Sequence, residues 1–402
     1  MSHRMHRAEF VALIAMMFAT IAFSIDSMLP ALPEIGGELS PDDLNRAQLI
    51  LTSFVLGMGV GTFFTGPLSD SFGRKPVIYG GAALYILASF VAWTSSSLEV
   101  VLAARIAQGL GAAGPRVVAM AVVRDLFSGR EMARIVSIAM MIFTLVPAVA
   151  PLLGAGIIAI TGWRGIFLAF ILFSMISVFW LGLRLPESLP RENRRPFRGP
   201  LLVKAVGEMF AHPSVRLSIL VQSLCLGTLF TMLTMVQPVY DVVYDRADSF
   251  PIWFGGVAIV SGSASLLNAA LVVRLGMRRM VTWTLGVQIL LSGVMLVAGG
   301  MDLSQDAGFG LFVFWQTSIF FMAGTTLGNL NAMAMEPMGH IAGMAASVIG
   351  AISTVIAAAI AAPIGQMFNG SLFPLTAGIL VMCILAYGLM LYMGRVENRL
   401  PA

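Results

Sequence analysis

The sequence predicts an all-α polytopic membrane protein: twelve transmembrane helices in two pseudo-symmetric six-helix bundles. Three observations predict it. The 402 residues are 58% hydrophobic and only 11% charged, whereas soluble domains carry roughly a quarter charged residues. The apolar residues fall into twelve runs, each of about 20 residues, the length that crosses a hydrocarbon core. One long polar segment, 186–214, divides these runs six and six. Lipid offers no water to backbone N–H and C=O groups, so only helices or a closed barrel span it, and long unbroken apolar runs select helices.

The basic N-terminus, Met1 to Arg7, precedes an apolar run from Phe10. A signal peptide would end in a small-residue cleavage site. This run continues past Ile25 without one and carries Asp26, so it reads as a retained first helix. The spans are placed at 9–29, 47–68, 76–95, 98–123, 134–160, 163–184, 215–240, 250–273, 280–300, 307–332, 342–366 and 371–394. The chain thus divides into a first bundle (1–185), a linker (186–214) and a second bundle (215–402). The linker holds Arg191, Arg194, Arg195, Arg198 and Lys204, and Leu201 to Phe210 reads as an amphipathic helix on the inner membrane surface.

Charge sets the orientation. Of 24 lysines and arginines, nineteen lie on the side of the N-terminus, and the opposite loops hold three: Arg46, Arg164 and Arg246. The other two, Arg105 and Arg116, are inside the fourth span. The positive-inside rule puts both termini and the linker in the cytoplasm, as in a bacterial-type inner membrane. Basic residues scattered over loops give no nucleic-acid footprint. The two cysteines, Cys225 and Cys383, lie within apolar spans, which argues against a disulfide framework or a metal cluster. No phosphate-binding glycine loop with lysine, serine elbow or zinc pattern occurs, so no cofactor is expected and energy must come from an ion gradient or the substrate's own gradient.

Between the second and third spans stands Gly66-Pro-Leu-Ser-Asp70-Ser-Phe-Gly73-Arg74-Lys75-Pro76. Gly66 and Pro67 are expected to end the incoming helix, and Gly73 to make a tight turn in a charged loop of about seven residues. The segment resembles the signature loop between helices 2 and 3 of major facilitator superfamily transporters, where it acts as a cytoplasmic latch. The resemblance implies a charge cluster of Asp70 and Arg74 with Arg124 and Asp125 from the inner end of the fourth span. It also implies a contact from Asp70 to the N-terminus of helix 11, near Gly339 to Ala342, where exposed N–H groups favour a carboxylate. Sliding the chain by 203 residues lays Gly276 over Gly73 and Val273 over Asp70, a faint internal repeat. The bland reading of this loop is a basic topology signal alone.

Ionisable groups inside spans are costly and mark function. Asp26 lies in the outer third of the first span, and Arg105 about seven residues from the outer end of the fourth, at similar depth given about 1.5 Å per residue. An ion pair is expected. Arginine stays charged, so the carboxylate is the group that titrates, with burial favouring its neutral form and a guanidinium its charged form. A static bridge that only fixes packing stays open as the alternative. Gln108 lies one turn below Arg105 on the same face. The surroundings, Ser24-Ile-Asp26-Ser-Met-Leu-Pro30 and Arg105-Ile-Ala-Gln108-Gly109-Leu-Gly111, resemble motifs of the twelve-helix drug/proton antiporter branch. That resemblance implies proton or substrate handling by Asp26 and proton transfer at Arg105. The fifth span carries Pro147, Pro151, Gly154 and Gly156, similar to the antiporter motif but with Ala150 and Ala155 where glycines usually stand. Its expected packing partner is the eighth span, at Gly255, Gly256, Gly262 and Ser263. Arg116, in Gly114-Pro115-Arg116, needs a partner, water, or snorkelling to the inner interface. Met335 to Ser347 resembles a segment of the bicyclomycin-resistance (Bcr/CflA) subfamily.

These readings converge on a proton-coupled secondary transporter that exports small drug-like or toxic compounds by alternating access. Its partners would be an amphipathic small molecule, protons and the bilayer, and it would act as a monomer. A same-fold importer or metabolite exporter, and a polytopic membrane enzyme, are the competing readings.

Overall fold

A computed structural model describes residues 5–194, 196–197 and 199–397. Met1 to Arg4, Arg195 and Arg198, and the side chains of Leu201 and Leu202, lie outside the described residues. The helices are α1 (Arg7–Asp26), α2 (Leu32–Leu39), α3 (Leu49–Phe72), α4 (Arg74–Thr94), α5 (Leu98–Leu126), α6 (Gly129–Thr161) and α7 (Arg164–Arg184) in the first half. Then follow α8 (Gly199–Ala211), α9 (Pro213–Pro238), α10 (Phe250–Leu275), α11 (Met277–Ala298), α12 (Gln305–Met335), α13 (Ala342–Gln366) and α14 (Phe373–Glu397). No strand occurs among the described residues, and twelve helical segments are long and apolar enough to cross a membrane, the first of them running through α1 and α2.

Two sequence expectations change here. The first span does not run smoothly to residue 29. Pro30 lacks an N–H, α1 stops at Asp26, and a 3-10 turn (Leu29–Ala31) leads into α2. Nor do Gly66 and Pro67 end the second span. Pro67 lies inside α3, which runs on through Asp70 to Phe72. One missing hydrogen bond does not stop a helix gripped on both sides, here by α5 and α13. The turn to α4 is Gly73 alone, at φ +103°, a conformation that glycine adopts without a Cβ clash. Gly276, at φ +82°, makes the same one-residue turn between α10 and α11, so the repeat seen in the sequence is a repeated joint.

Glycines set how closely the first-half helices approach. A Cβ on Gly57 would sit 2.0 Å from the Ile106 carbonyl oxygen, and one on Gly109 would sit 2.1 Å from that of Phe54. Thus α3 and α5 meet backbone to backbone, which small residues permit. On the other side of α5, Gly111 and Gly81 do the same against α4. Helix α1 packs on α5 and α6, and α4 on α7. In the second half α9 packs on α12, α13 and α14.

The halves meet along two seams, α3 with α13 and α6 with α10. The face that bears the start of α1 and the linker is called the basic face below. At that face Gly66 lies against Ser347. At the opposite face Asn45 donates through Nδ2 to the Phe368 carbonyl (2.7 Å), and Gln366 donates through Nε2 to that of Asn45 (2.8 Å). In the second seam a Gly255 Cβ would sit 2.7 Å from the Ala148 carbonyl oxygen, whereas Gly256 faces open space. The linker helix α8 buries Ala205 and Met209 against the second half, and its Glu208 pairs with His340 at 2.6 Å.

Gly57→Ala is expected to force α3 and α5 apart, an overpacking cost of about 1–3 kcal/mol. The check is the apparent melting temperature in detergent. It falls in this variant and holds in Gly80→Ala, where a Cβ meets nothing within 4 Å.

Candidate functional site

The break in α1 organises the membrane interior. Met28 turns its N–H to the Ile25 carbonyl (3.3 Å), so the Ser24 carbonyl is released from the helical pattern. Arg105 Nη2 takes that oxygen at 2.9 Å. Its Nε donates to the Ile50 carbonyl of α3 (3.1 Å), and Nη1 donates to Gln108 Oε1 (2.9 Å). Phe54 stacks under the guanidinium, 4.4 Å from ring centroid to carbon. Gln108 in turn donates to Ser89 Oγ (2.6 Å), and Tyr85 OH shares a hydrogen bond with Ser24 Oγ (2.6 Å). Arg105 is wholly buried, and this ring of neutral acceptors is what makes a buried cation tolerable.

Asp26 is buried too, at 5% exposure. The expected ion pair is absent: Asp26 has neither an ion pair nor a hydrogen bond among the described residues. Depth matches, but azimuth does not. Ser24 faces α4 and α5, and a residue two positions later lies about 200° round the helix. The carboxylate therefore looks away from the guanidinium. Next to it, a Cβ on Gly154 of α6 would sit 2.1 Å from the Ser27 carbonyl oxygen. Gly154 thus holds α6 against the break, while Gly156 faces open space. Pro147 and Pro151 both lie inside α6, which runs unbroken.

At the basic face, Arg74 sits 7% exposed at the start of α4. Its Nε and Nη2 donate to the two oxygens of Asp125 (2.9 and 3.3 Å), and Nη1 donates to Asp70 Oδ1 (2.6 Å) and Ser69 Oγ (2.8 Å). This two-pronged guanidinium–carboxylate geometry is the strong form of such a pair. Two implied contacts differ. Asp70 makes no hydrogen bond to the N-terminus of α13 among the described residues; it is half exposed and held by Arg74. Arg124 has no ion pair among the described residues; its Nη1 lies beside Gly343 of α13, 4.0 Å from where a Cβ would stand. Because α3 continues to Phe72, Asp70 lies one turn from Arg74 and folds back onto it.

Comparison with known proteins adds the family. The model of the Major Facilitator Superfamily matches residues 12–362. The chain belongs to the Major Facilitator Superfamily. It is 31% identical over 376 residues to a bicyclomycin resistance protein homologue of Haemophilus influenzae, covering 91% of this chain and 92% of that protein. It is 23% identical over 391 residues to multidrug resistance protein D of Escherichia coli, covering 92% of each. Its fold matches a crystal structure of a D-xylose-proton symporter at TM-score 0.76 and 14% identity, over 95% of this chain and 97% of that one. This chain is therefore a multi-pass membrane transporter of small molecules rather than an enzyme.

Within this facilitator fold, several residues of the site were not foreseen from the sequence. Glu187, just past α7, accepts from the backbone N–H groups of Arg74 (2.9 Å), Lys75 (3.0 Å) and Leu189 (3.1 Å). It caps α4 where the helix exposes its first amides. Ser188 donates to Asp125 (2.9 Å). Gly73 is crowded by Glu187 and Arg194, so the joint requires glycine for space as well as for its backbone angle. Tyr85 and Ser89, polar residues one turn apart in an apolar span, were the available signal for the Arg105 network. Arg116 is exposed in mid-helix and has no partner among the described residues.

Glu187→Ala is expected to uncap α4 at a cost of about 1 kcal/mol. Hydrogen exchange at the Arg74 and Lys75 amides measures it. Exchange accelerates there and stays unchanged in Glu192→Ala, a residue of the same linker outside this network.

Proposed function

We propose that the protein is a proton-coupled exporter of small, partly apolar toxic compounds, working by alternating access in a bacterial-type inner membrane. Its relatives' names speak of bicyclomycin and multidrug resistance, and we carry that substrate class to this chain. The basic face is taken as cytoplasmic. The charge asymmetry of nineteen lysines and arginines against three supports this.

The observation that carries the coupling is the buried, unpartnered Asp26 at the helix break that Arg105 clasps. Arginine does not exchange its proton in proteins, so Asp26 is the group at this depth that can load and release one. It need not face Arg105 to be coupled to it. Protonation changes what the break can accommodate, and the break is fixed to α5 through Ser24 and to α6 through Gly154. Any shift of α1 therefore moves α5 and α6, and α6 carries one of the two seams. The linked residues 1–185 and 215–402 act as the rocking halves, within a single polypeptide that works as a monomer. The Arg74–Asp125–Asp70 cluster with its Glu187 cap stiffens the basic face while that side is closed.

The test is transport in everted vesicles with an imposed pH gradient, using bicyclomycin and chloramphenicol. Asp26→Asn is expected to abolish gradient-driven accumulation while retaining substrate counterflow in the absence of a gradient. Full gradient-driven accumulation by Asp26→Asn would defeat the proton role. Asp70→Asn is expected to slow transport at unchanged coupling.

A further inference from the structure

Arg105 and Arg116 are two cations on one helix with opposite fates. Arg105 spends its donors on Ser24, Ile50 and Gln108 and is wholly buried. Arg116, eleven residues further towards the basic face, is exposed and has no partner among the described residues. The separation is about 16 Å along the axis, so Arg116 is outside the Asp26 region.

Where Arg116 points follows from the neighbours of α5. At about 100° per residue, Ile106, Gly109, Leu110 and Ala113 form the face that meets α3, where Gly57 and Gly61 lie against them. Gly111 and Gly114 form the face that meets α4. Arg105 reaches α1. Arg116 falls in the sector between the α1 and α3 faces, opposite α4. Helices α3 and α6 carry the two seams to the second half, and α1 and α5 stand between them. That sector therefore opens onto the space between the halves and not onto lipid. Arg124, eight residues on and about 80° further round α5, lies beside Gly343 of the second half. Snorkelling is not the account, because Arg116 is ten residues from the end of α5 at Leu126, about 15 Å, more than an arginine side chain spans.

An exposed cation without a counter-charge among the described residues, at this depth, is a candidate for binding a ligand. Its forked donors match a carboxylate or a phosphonate in two-pronged fashion. We propose that Arg116 is a ligand-binding residue that holds the anionic group of a small organic acid in the central space between the two halves. This rests on the transporter fold, and it adds to the proposed cargo compounds that carry a carboxylate or phosphonate beside an apolar body.

The experiment is equilibrium binding by calorimetry to the full chain in phosphatidylcholine nanodiscs, with matched probes: salicylate against salicylamide, 4-phenylbutyrate against its amide, and phenylphosphonate against its diethyl ester. The wild type is expected to bind at least one anion more tightly than its neutral partner. Arg116→Gln is expected to lose about tenfold or more for that anion, the scale of one charge-assisted pair, and to keep its affinity for the neutral partner. No anion preference in the wild type, or the same preference in Arg116→Gln, overturns the proposal. If Arg116→Gln loses its melting transition, Arg116→Lys carries the test: it keeps the charge but not the fork, so anion binding weakens, and unchanged binding overturns the proposal. Repeating the wild type in phosphatidylglycerol nanodiscs separates two sources of the anion. Competition assigns the site to a lipid headgroup phosphate and overturns the soluble organic acid; undiminished binding supports it. None of these readouts involves a proton gradient, so a failure of proton coupling leaves this result standing, and the reverse holds too.

Discussion

The clasp between Arg105 and the released carbonyl of Ser24 is the interaction on which the rest of the interior depends. The first span interrupts its own hydrogen-bond ladder where Met28 turns its N–H to the Ile25 carbonyl, and a buried guanidinium takes up the freed Ser24 oxygen. A helix break at membrane depth is tolerated only where its polar groups are satisfied by protein. Arg105 does that for α1 and ties the break to α3 through Ile50. Asp26 is left beside this junction with no fixed partner. The same arrangement explains why glycine stands at 154, since α6 reaches the break only by laying backbone against Ser27.

The basic face solves a different problem. There a tight joint, Gly73, brings α3 and α4 together, and Arg74 is drawn into a pocket of acceptors from three places in the chain. The Arg74 guanidinium holds Asp125 and Asp70 while its backbone N–H is held by Glu187. Exposed ion pairs contribute little, but Arg74 is nearly buried and its bonds to Asp125 are two-pronged. The second half repeats the joint at Gly276 without the acid, since Val273 stands exposed where Asp70 would be. The two halves are therefore unequal: one carries a charged clamp and the other only the turn.

Much of this was legible in the sequence, for identifiable reasons. Span number followed from run length, which lipid thickness dictates. The Arg74–Asp70 and Arg74–Asp125 contacts fall within the charge cluster that the resemblance to the facilitator signature loop implied. Gly255 against the fifth span was also foreseen. What failed depended on rotation about a helix axis. Matching Asp26 and Arg105 by depth says nothing of azimuth, and the two turned out to face different neighbours. Reading Gly66-Pro67 as a stop neglected the support that α5 and α13 give to α3. Glu187 was hidden because the amides it caps lie 113 and 112 residues earlier in the chain, with no local pattern to join them.

The central claim is that the Arg105-clasped break sets the environment of a proton-exchanging Asp26. Infrared difference spectroscopy across a pH series, on the protein in lipid, isolates the carboxyl band that disappears in Asp26→Asn. The account predicts that this band titrates in the wild type and that its midpoint moves when Arg105 is replaced by lysine. A band that does not titrate, or one whose midpoint is the same with and without the arginine, would contradict it.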